Sequence, residues 1–274
     1  MLSPSERVLL FIPIYNCGPQ IQRVIAQLKP EICALLSEVI VVDNRSTDGG
    51  NTAAIAALKN IPNLAAKVLN NDANYGLGGS HKVAFDYAIA NKFDFCIVLH
   101  GDDQGDIDNI VPLIRAGAHR QVDCLLGARF MPGSRLEGYS WVRIFGNHVF
   151  NLLYSVASGV RIYDLGSGLN LYDVRALADR AYLRNADDLT FNYGMILHSI
   201  AAGWRMRFFP IAWREDDQVS NVKIVRQSLR VLGIVRDYAF DRRRFLERDY
   251  SRQPGRAYTS TAVFANTPVA EAAS

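Results

Sequence analysis

The residues best suited to chemistry are crowded into one stretch, His100-Gly101-Asp102-Asp103-Gln104-Gly105-Asp106, directly after an apolar run. Adjacent carboxylates in a Gly-rich turn repel each other, and a bound divalent cation relieves that cost. Mg²⁺ and Mn²⁺ take hard oxygen ligands, often one or two carboxylates completed by phosphates and water. In extended backbone Asp102 and Asp103 point to opposite sides, so one of them binds the ion and the other caps the next helix or faces a ligand. The competing reading is a helix start stocked with capping acids. Asp43, followed by Asn44 and Arg45, can accept hydrogen bonds from a base or ribose, or can simply terminate a strand. Tyr75-Gly76-Leu77-Gly78-Gly79 lacks the third glycine of a dinucleotide fingerprint, because His81 stands there. Its glycines still permit close backbone approach to a ligand, and Lys82 on the helix behind them can neutralise a phosphate or sit on a solvated surface.

These clusters need elements to hold them. Val8 to Ile14 is a continuous apolar run, as expected of a strand buried on both faces. Ile21, Val24, Ile25 and Leu28 then recur at helical spacing. The same alternation continues through strands at Val39–Val42, Ala66–Leu69, Phe95–Leu99 and Val122–Leu126, with helices between them. Ser46-Thr47-Asp48 supplies capping oxygens for one of these helices. This order predicts an α/β fold, a mostly parallel Rossmann-like sheet flanked by helices. In such sheets ligands bind beyond the carboxyl ends of the strands, where the polar clusters fall. Further on, the pattern predicts a loop over Met131–Tyr139, a helix over Val142–Ser158, a polar turn at Asp164–Gly168, two helices flanking Asn185–Asp188 and a late strand at Met206–Ile211. An arginine-dense helical extension follows over residues 223–250, and residues 251–274, rich in Pro, Gly, Ser, Thr and Ala, read as a disordered tail. The main domain is expected over residues 1–222.

Composition narrows the function classes. A net charge of +3, without a basic patch interleaved with stacking aromatics, gives no sign of nucleic-acid binding. Cys17, Cys33, Cys96 and Cys124 have neither zinc-ligand spacing nor a disulfide framework, which suits a reducing cytoplasm. The polar opening Met1–Arg7 lacks a signal peptide's layout. The most apolar long stretch, Phe145–Val160, is interrupted by Asn147, His148 and Asn151, so at most peripheral membrane contact is expected.

Six segments, in order, carry a resemblance. Ile12-Pro13-Ile14-Tyr15-Asn16 resembles the opening strand of family 2 glycosyltransferases, and Val41 to Gly49 resembles their second-strand motif. Asn74 to Gly79 is similar to the loop before their third helix, and Leu99 to Gln104 to their metal motif. Gly127-Ala128-Arg129-Phe130 and Asp164-Leu165-Gly166-Ser167-Gly168 resemble motifs of the branch that makes dolichyl- or polyprenyl-phosphate sugars. The resemblance spans about residues 8 to 223. It implies a GT-A fold, a nucleotide-sugar donor, a divalent cation (Mg²⁺ or Mn²⁺), and a lipid-phosphate or small hydroxyl acceptor. It places Pro13, Tyr15, Asp43 and Asn44 at the base and ribose, and Lys82 near the donor phosphates. Asp102 and Gln104 match metal-motif positions, with His100 where that motif has its first acid. Asp103 and Arg129 fall beside the donor, and Ser167 and Gly168 toward the acceptor. Ser220 and Lys223 fall in a segment that can close over the phosphates.

Three departures bear on the chemistry. His100 replaces an acid, and imidazole suits Mn²⁺ better than Mg²⁺. Asn170 stands where the polyprenyl-phosphate branch often has arginine, and Gly194 where it often has glutamate, a role open to Asp187 or Asp188. The resemblance implies inverting transfer with charge growing on the leaving diphosphate, which the metal and cationic side chains stabilise. A hydroxyl acceptor needs a general base, for which Asp188 is the candidate, while a phosphate acceptor is already anionic at neutral pH. The extension, with Leu229, Leu232 and Val235 among Arg230, Arg236 and Arg242–Arg244, is either a packed or oligomer-forming helix or an amphipathic helix on an anionic bilayer. Two rival functions stay open: a sugar-phosphate nucleotidyltransferase, which releases pyrophosphate, and a non-catalytic sugar-nucleotide-binding protein.

Overall fold

The computed structural model describes residues 6–61, 63–215, 224–252, 255 and 257–266, with backbone alone at 224–227. Strands β1 (Val8–Ile14), β2 (Glu38–Asp43), β3 (Ala65–Asn71) and β4 (Phe95–Leu99) alternate with helices α1 (Gly18–Ala26), α2 (Pro30–Cys33), α3 (Gly50–Leu58) and α4 (Gly76–Ala90). There follow α5 (Val111–Arg115), β5 (Cys124–Ala128), β6 (Arg135–Glu137), α6 (Trp141–Ser158), β7 (Leu169–Asp173), α7 (Phe191–Ala201), β8 (Met206–Pro210) and β9 (Ala212–Arg214). The chain continues through α8 (Ile224–Phe240) and α9 (Arg242–Glu247) to β10 (Ser260–Asn266).

Eight strands form one sheet in the order β10-β3-β2-β1-β4-β7-β5-β8, and β6 pairs with β9 beside it. β1 to β4 run parallel, as do β5 and β8, whereas β7 and β10 run against their neighbours. Chain order runs from β1 through β2 to β3 on one side and resumes with β4 on the other. The crevice at that reversal is where such sheets bind ligands. Strand alternation feeds two cores. Leu9 and Phe11 of β1 face α4 and α7, while Leu10, Ile12 and Ile14 face α1, α3 and α5. This is the mostly parallel, helix-flanked sheet expected from the alternating pattern.

Three expectations need correction. β7 was not anticipated, yet it lies at the centre of the sheet, with Leu169 and Leu171 on one face and Tyr172 on the other. Its alternation is only five residues long and includes polar Asn170, too short to stand out in sequence. Of the two helices expected to flank Asn185–Asp188, the first is only a 3₁₀ turn, Ala181–Arg184. The arginine-dense helical region is present at the C-terminal end as α8 and α9, where Val231, Val235, Tyr238 and Phe245 pack in the same cluster as α4 and α7. The tail expected to be disordered includes β10, paired antiparallel with β3, because the edge of β3 offers unpaired backbone groups that the tail satisfies.

Candidate active site

A cleft of about 420 Å³ opens over the carboxyl ends of β1, β2, β3 and β4. β1 delivers Pro13 and Tyr15, β2 delivers Asn44, and β4 delivers His100, Gly101 and Asp102. Asn74, Gly76, Leu77 and Ser80 also line it, with Asp188 packed against Gly76, and Leu189 and Arg252 complete the lining. The β4 turn is held against β1 by the Gly101 amide, which donates to the Pro13 carbonyl at 3.1 Å. A Cβ at residue 101 would lie 2.5 Å from Ile14, so this approach requires glycine.

Asp102 and Asp103 face different ways through a turn rather than through extended backbone, and the structure decides which faces the cleft. Asp102 lines it, with Oδ1 accepting from the Gln104 amide at 3.3 Å, and burial pushes its carboxyl up to about 6. Asp103 adopts φ +59° and turns away. There it accepts from Arg23 Nε at 2.6 Å and from Gln27 at 3.3 Å, and pairs with Arg214 at 3.4 Å. Asp103 is therefore a tie between α1, the β4 turn and β9, not a donor contact. Gln104 serves through its backbone, its carbonyl accepting from Arg214.

A divalent cation fits Asp102. Desolvation disfavours its lone negative charge, and a cation offsets that cost. Among the described residues no group of three or more acidic, His or Cys side chains could enclose an ion. One carboxylate completed by substrate phosphates and water is the arrangement Mg²⁺ and Mn²⁺ accept. His100 lines the cleft beside Asp102. Its ring packs edge-on to His81, 5.9 Å between centroids, and burial followed by the Arg129 charge lowers its pKa to about 4. Nε2 of both His81 and His100 is buried without a partner.

Asp43 is buried and turned into its own loop, with Oδ1 accepting from the Ser46 amide at 2.9 Å. Asn44 is the cleft residue of this pair. Its Oδ1 accepts from Asn71 at 3.1 Å and from the Tyr75 amide at 2.8 Å. Asp48 caps locally, accepting from the Gly18 amide at 2.7 Å and the Gly50 amide at 3.0 Å. Much of this motif thus joins strand ends to helix starts. Tyr15 is 50% exposed at the rim.

Gly76 and Leu77 line the cleft, but the Gly78 face of the glycine loop is closed by protein. A Cβ on Gly78 would lie 2.2 Å from the Ala186 carbonyl, and the Gly78 amide donates to the Asp187 carbonyl at 2.8 Å. Lys82 is fully buried and faces the same loop, against the expectation of a phosphate contact. Its Nζ donates to Asp187 Oδ1 at 2.6 Å, the Asn185 carbonyl at 2.7 Å and Tyr258 Oη at 3.0 Å. Burial pulls its pKa below the ordinary lysine value in spite of the Asp187 charge.

Arg129 is 11% exposed along its side chain and committed to Asp164, with Nε and Nη2 donating at 2.8 and 2.9 Å. Its guanidinium also lies over Phe130, Tyr139 and Trp213. Ser167 donates to the Leu169 carbonyl, and the Gly168 carbonyl accepts from the His100 amide at 2.9 Å. Gly168 thus braces the start of the Asp102 turn, whereas the Ser167 bond stays within its own segment. Asp188 reaches the cleft but is a poor base. Although burial opposes it, hydrogen bonds from Thr190 and the charges of Arg230 and Arg252 hold its pKa below the usual carboxylate value. Ser220 and Lys223 lie outside the described residues. Arg252 and Tyr258 escaped the sequence reading because they sit in a segment whose composition resembles a linker.

Residues 10–180 match the profile described as Glycosyl transferase family 2. The chain is 23% identical over 165 residues to polyprenol monophosphomannose synthase of Mycolicibacterium smegmatis. That match covers 59% of this chain and 60% of the relative's length. Glucosyl-3-phosphoglycerate synthase of Mycobacterium tuberculosis, solved with Mn²⁺, UDP and phosphoglyceric acid, is similar in structure, with a TM-score of 0.64 and 15% identity over 96% of this chain and 90% of that one. Mannosyl-3-phosphoglycerate synthase of Rubrobacter xylanophilus gives a TM-score of 0.60 and 14% identity, covering 92% and 79%. At these identities the solved structures bear on the fold alone, and that fold is GT-A. With more than half its length matched by the profile, the chain belongs to glycosyl transferase family 2.

Proposed function

We propose that the protein transfers a sugar, with inversion, from a nucleoside diphosphate sugar to a polyprenyl phosphate. The observation that carries this choice of acceptor is the state of Asp188. A hydroxyl nucleophile needs a base poised near the working pH. Asp188 is instead held ionised between Arg230 and Arg252. His100, neutral down to about 4, is also weak as a base. A phosphate monoester needs neither, since its second pKa is about 6.

In this reading Tyr15 and Asn44 receive the nucleoside at the ends of β1 and β2. Asp102 holds Mg²⁺ or Mn²⁺, which when bound neutralises charge on the leaving diphosphate. Asp103 and the Gly168 carbonyl keep the Asp102 turn in place through Arg23, Gln27 and the His100 amide.

A lipid-linked acceptor also accounts for α6. Trp141, Phe145, Leu152 and Val156 lie at helical spacing and are 77%, 66%, 64% and 75% exposed. An apolar stripe of this kind suits the headgroup boundary of a bilayer. The helix lies next to the Arg129–Asp164 turn, since Asn151 donates to the Tyr163 carbonyl and Asn147 to Tyr139. No described helix is long and apolar enough to cross a membrane, so the contact proposed is peripheral. Four free cysteines suit a reducing compartment, hence the cytoplasmic face.

The test is a transfer assay with labelled UDP-, GDP- and dTDP-sugars, Mn²⁺ or Mg²⁺, and polyprenyl phosphate in liposomes, run beside phosphoglycerate and simple alcohols. The expected product is an acid-labile lipid-phosphate sugar, with nucleoside diphosphate released. Transfer to a hydroxyl acceptor alone, or pyrophosphate release, would overturn the proposal.

A further inference from the structure

The nucleoside diphosphate reading leaves one charge without a counterpart. A diphosphate entering the cleft meets two carboxylates, Asp102 and Asp188. The lysine that sequence assigned to it, Lys82, is sealed behind Asp187 and Tyr258. Among the described residues that line the cleft, the cationic side chain is Arg252.

Arg252 lies in the strap that joins α9 to β10. The strap leaves α9 at Tyr250, whose amide donates to the Arg184 carbonyl at 2.7 Å. It is pinned next at Arg252, whose amide donates to Asp187 Oδ2 at 2.8 Å. Tyr258 Oη donates to Asp187 Oδ1 at 2.6 Å, and the Asp72 amide donates to the Thr259 carbonyl at 3.1 Å. β10 then joins the sheet beside β3. The two oxygens of Asp187 thus hold the strap at two points, and Lys82 neutralises the carboxylate that does the holding. The guanidinium itself is loosely engaged. Its contact to Asp188 is 3.5 Å, and its side chain is 58% exposed. Its backbone is fixed while its charged end is available, which is the condition for a binding residue. Asp188, shared with Arg230, keeps the guanidinium aimed into the cleft without saturating its donors.

We infer that Arg252 is a phosphate-binding residue of this site, contributed by the C-terminal strap, and that the buried Lys82–Asp187–Tyr258 cluster is the anchor that positions it. The inference rests on the nucleoside diphosphate reading of the cleft. It goes beyond the family match, which ends at residue 180. The phosphate could belong to the donor or to a phosphorylated acceptor, and the two are separable.

The experiment uses the full chain with Mn²⁺ and isothermal titration of UDP, GDP and dTDP and of the matching nucleosides. Arg252→Ala and Arg252→Lys both keep the backbone bond to Asp187, and their thermal unfolding is compared with wild type. For a charge-assisted contact the expected result is about a tenfold or greater loss of nucleoside diphosphate affinity in R252A. Nucleoside affinity should be unchanged, and R252K should recover part of the loss. If diphosphate affinity holds but the KM for polyprenyl phosphate rises about tenfold with kcat retained, the phosphate served is the acceptor's. Unchanged affinity and unchanged KM in a folded R252A would overturn the inference and leave the donor reading intact. Failure of wild type to bind any nucleoside diphosphate would overturn both.

Discussion

Lys82 separates a structural role from a ligand-binding one. Its ammonium and the Asp187 carboxylate are 0% and 3% exposed and 2.6 Å apart. Lys82→Met keeps most of the aliphatic stem and deletes the charge. Asp187 then retains donors from Tyr258 and the Arg252 amide but no cation within the buried cluster. Breaking a buried pair by removing one partner costs about 3–5 kcal/mol. The two remaining donors place the expected loss near the lower end, about 3 kcal/mol. For a chain of this size that lowers the unfolding midpoint by about 6–12 °C. Urea unfolding monitored by circular dichroism measures the loss, and calorimetry checks the midpoint. A Lys82→Met/Asp187→Leu double variant should recover part of it, because neither charge is then left buried alone. Wild-type stability in K82M, together with a tenfold or greater loss of nucleoside diphosphate affinity, would refute the reasoning and return Lys82 to the phosphate site.

Asp102→Ala should abolish metal-dependent donor binding measured by titration calorimetry, whereas Asp103→Ala should leave it largely intact and destabilise the fold by about 1–3 kcal/mol as its ion pairs with Arg23 and Arg214 are lost. Equal effects on metal binding would count against the assignment. Burial lowers the His81 pKa to about 3, so in acid the unfolded chain takes up a proton that the folded chain refuses. Stability from this residue is therefore complete above about pH 6.5 and falls by about 1.4 kcal/mol per pH unit below it. Denaturant unfolding at pH 6.5 and 5 should show His81→Phe declining by about 2 kcal/mol less than wild type, and parallel declines would exclude the effect. Asp102, raised to about 6, has the opposite sign, which is why the comparison is between proteins rather than between pH values alone. Gly78→Ala, with its Cβ 2.2 Å from a carbonyl, should lower stability by about 1–3 kcal/mol in the same assay.

The sequence by itself determined the alternation of strands and helices, and with it the sheet, because periodicity is a local property that tertiary context seldom reverses. It also located the cleft, since each polar cluster follows a buried strand and parallel strands bring their carboxyl ends together. It placed Asp102 at a strand end, and the structure has that residue in the cleft. Only the tertiary structure decided which neighbouring groups face that cleft. One left-handed residue turned Asp103 toward Arg23, and a 2.2 Å approach of the Ala186 carbonyl closed the Gly78 face of the glycine loop against protein. Asp187 captured Lys82 from more than a hundred residues away. Arg252 reached the cleft because an edge of β3 could be paired by a tail whose composition, taken alone, gives no reason to fold. Residue type and spacing are written locally, but a charge's partner is set by which distant segments the packed chain brings within about 3 Å.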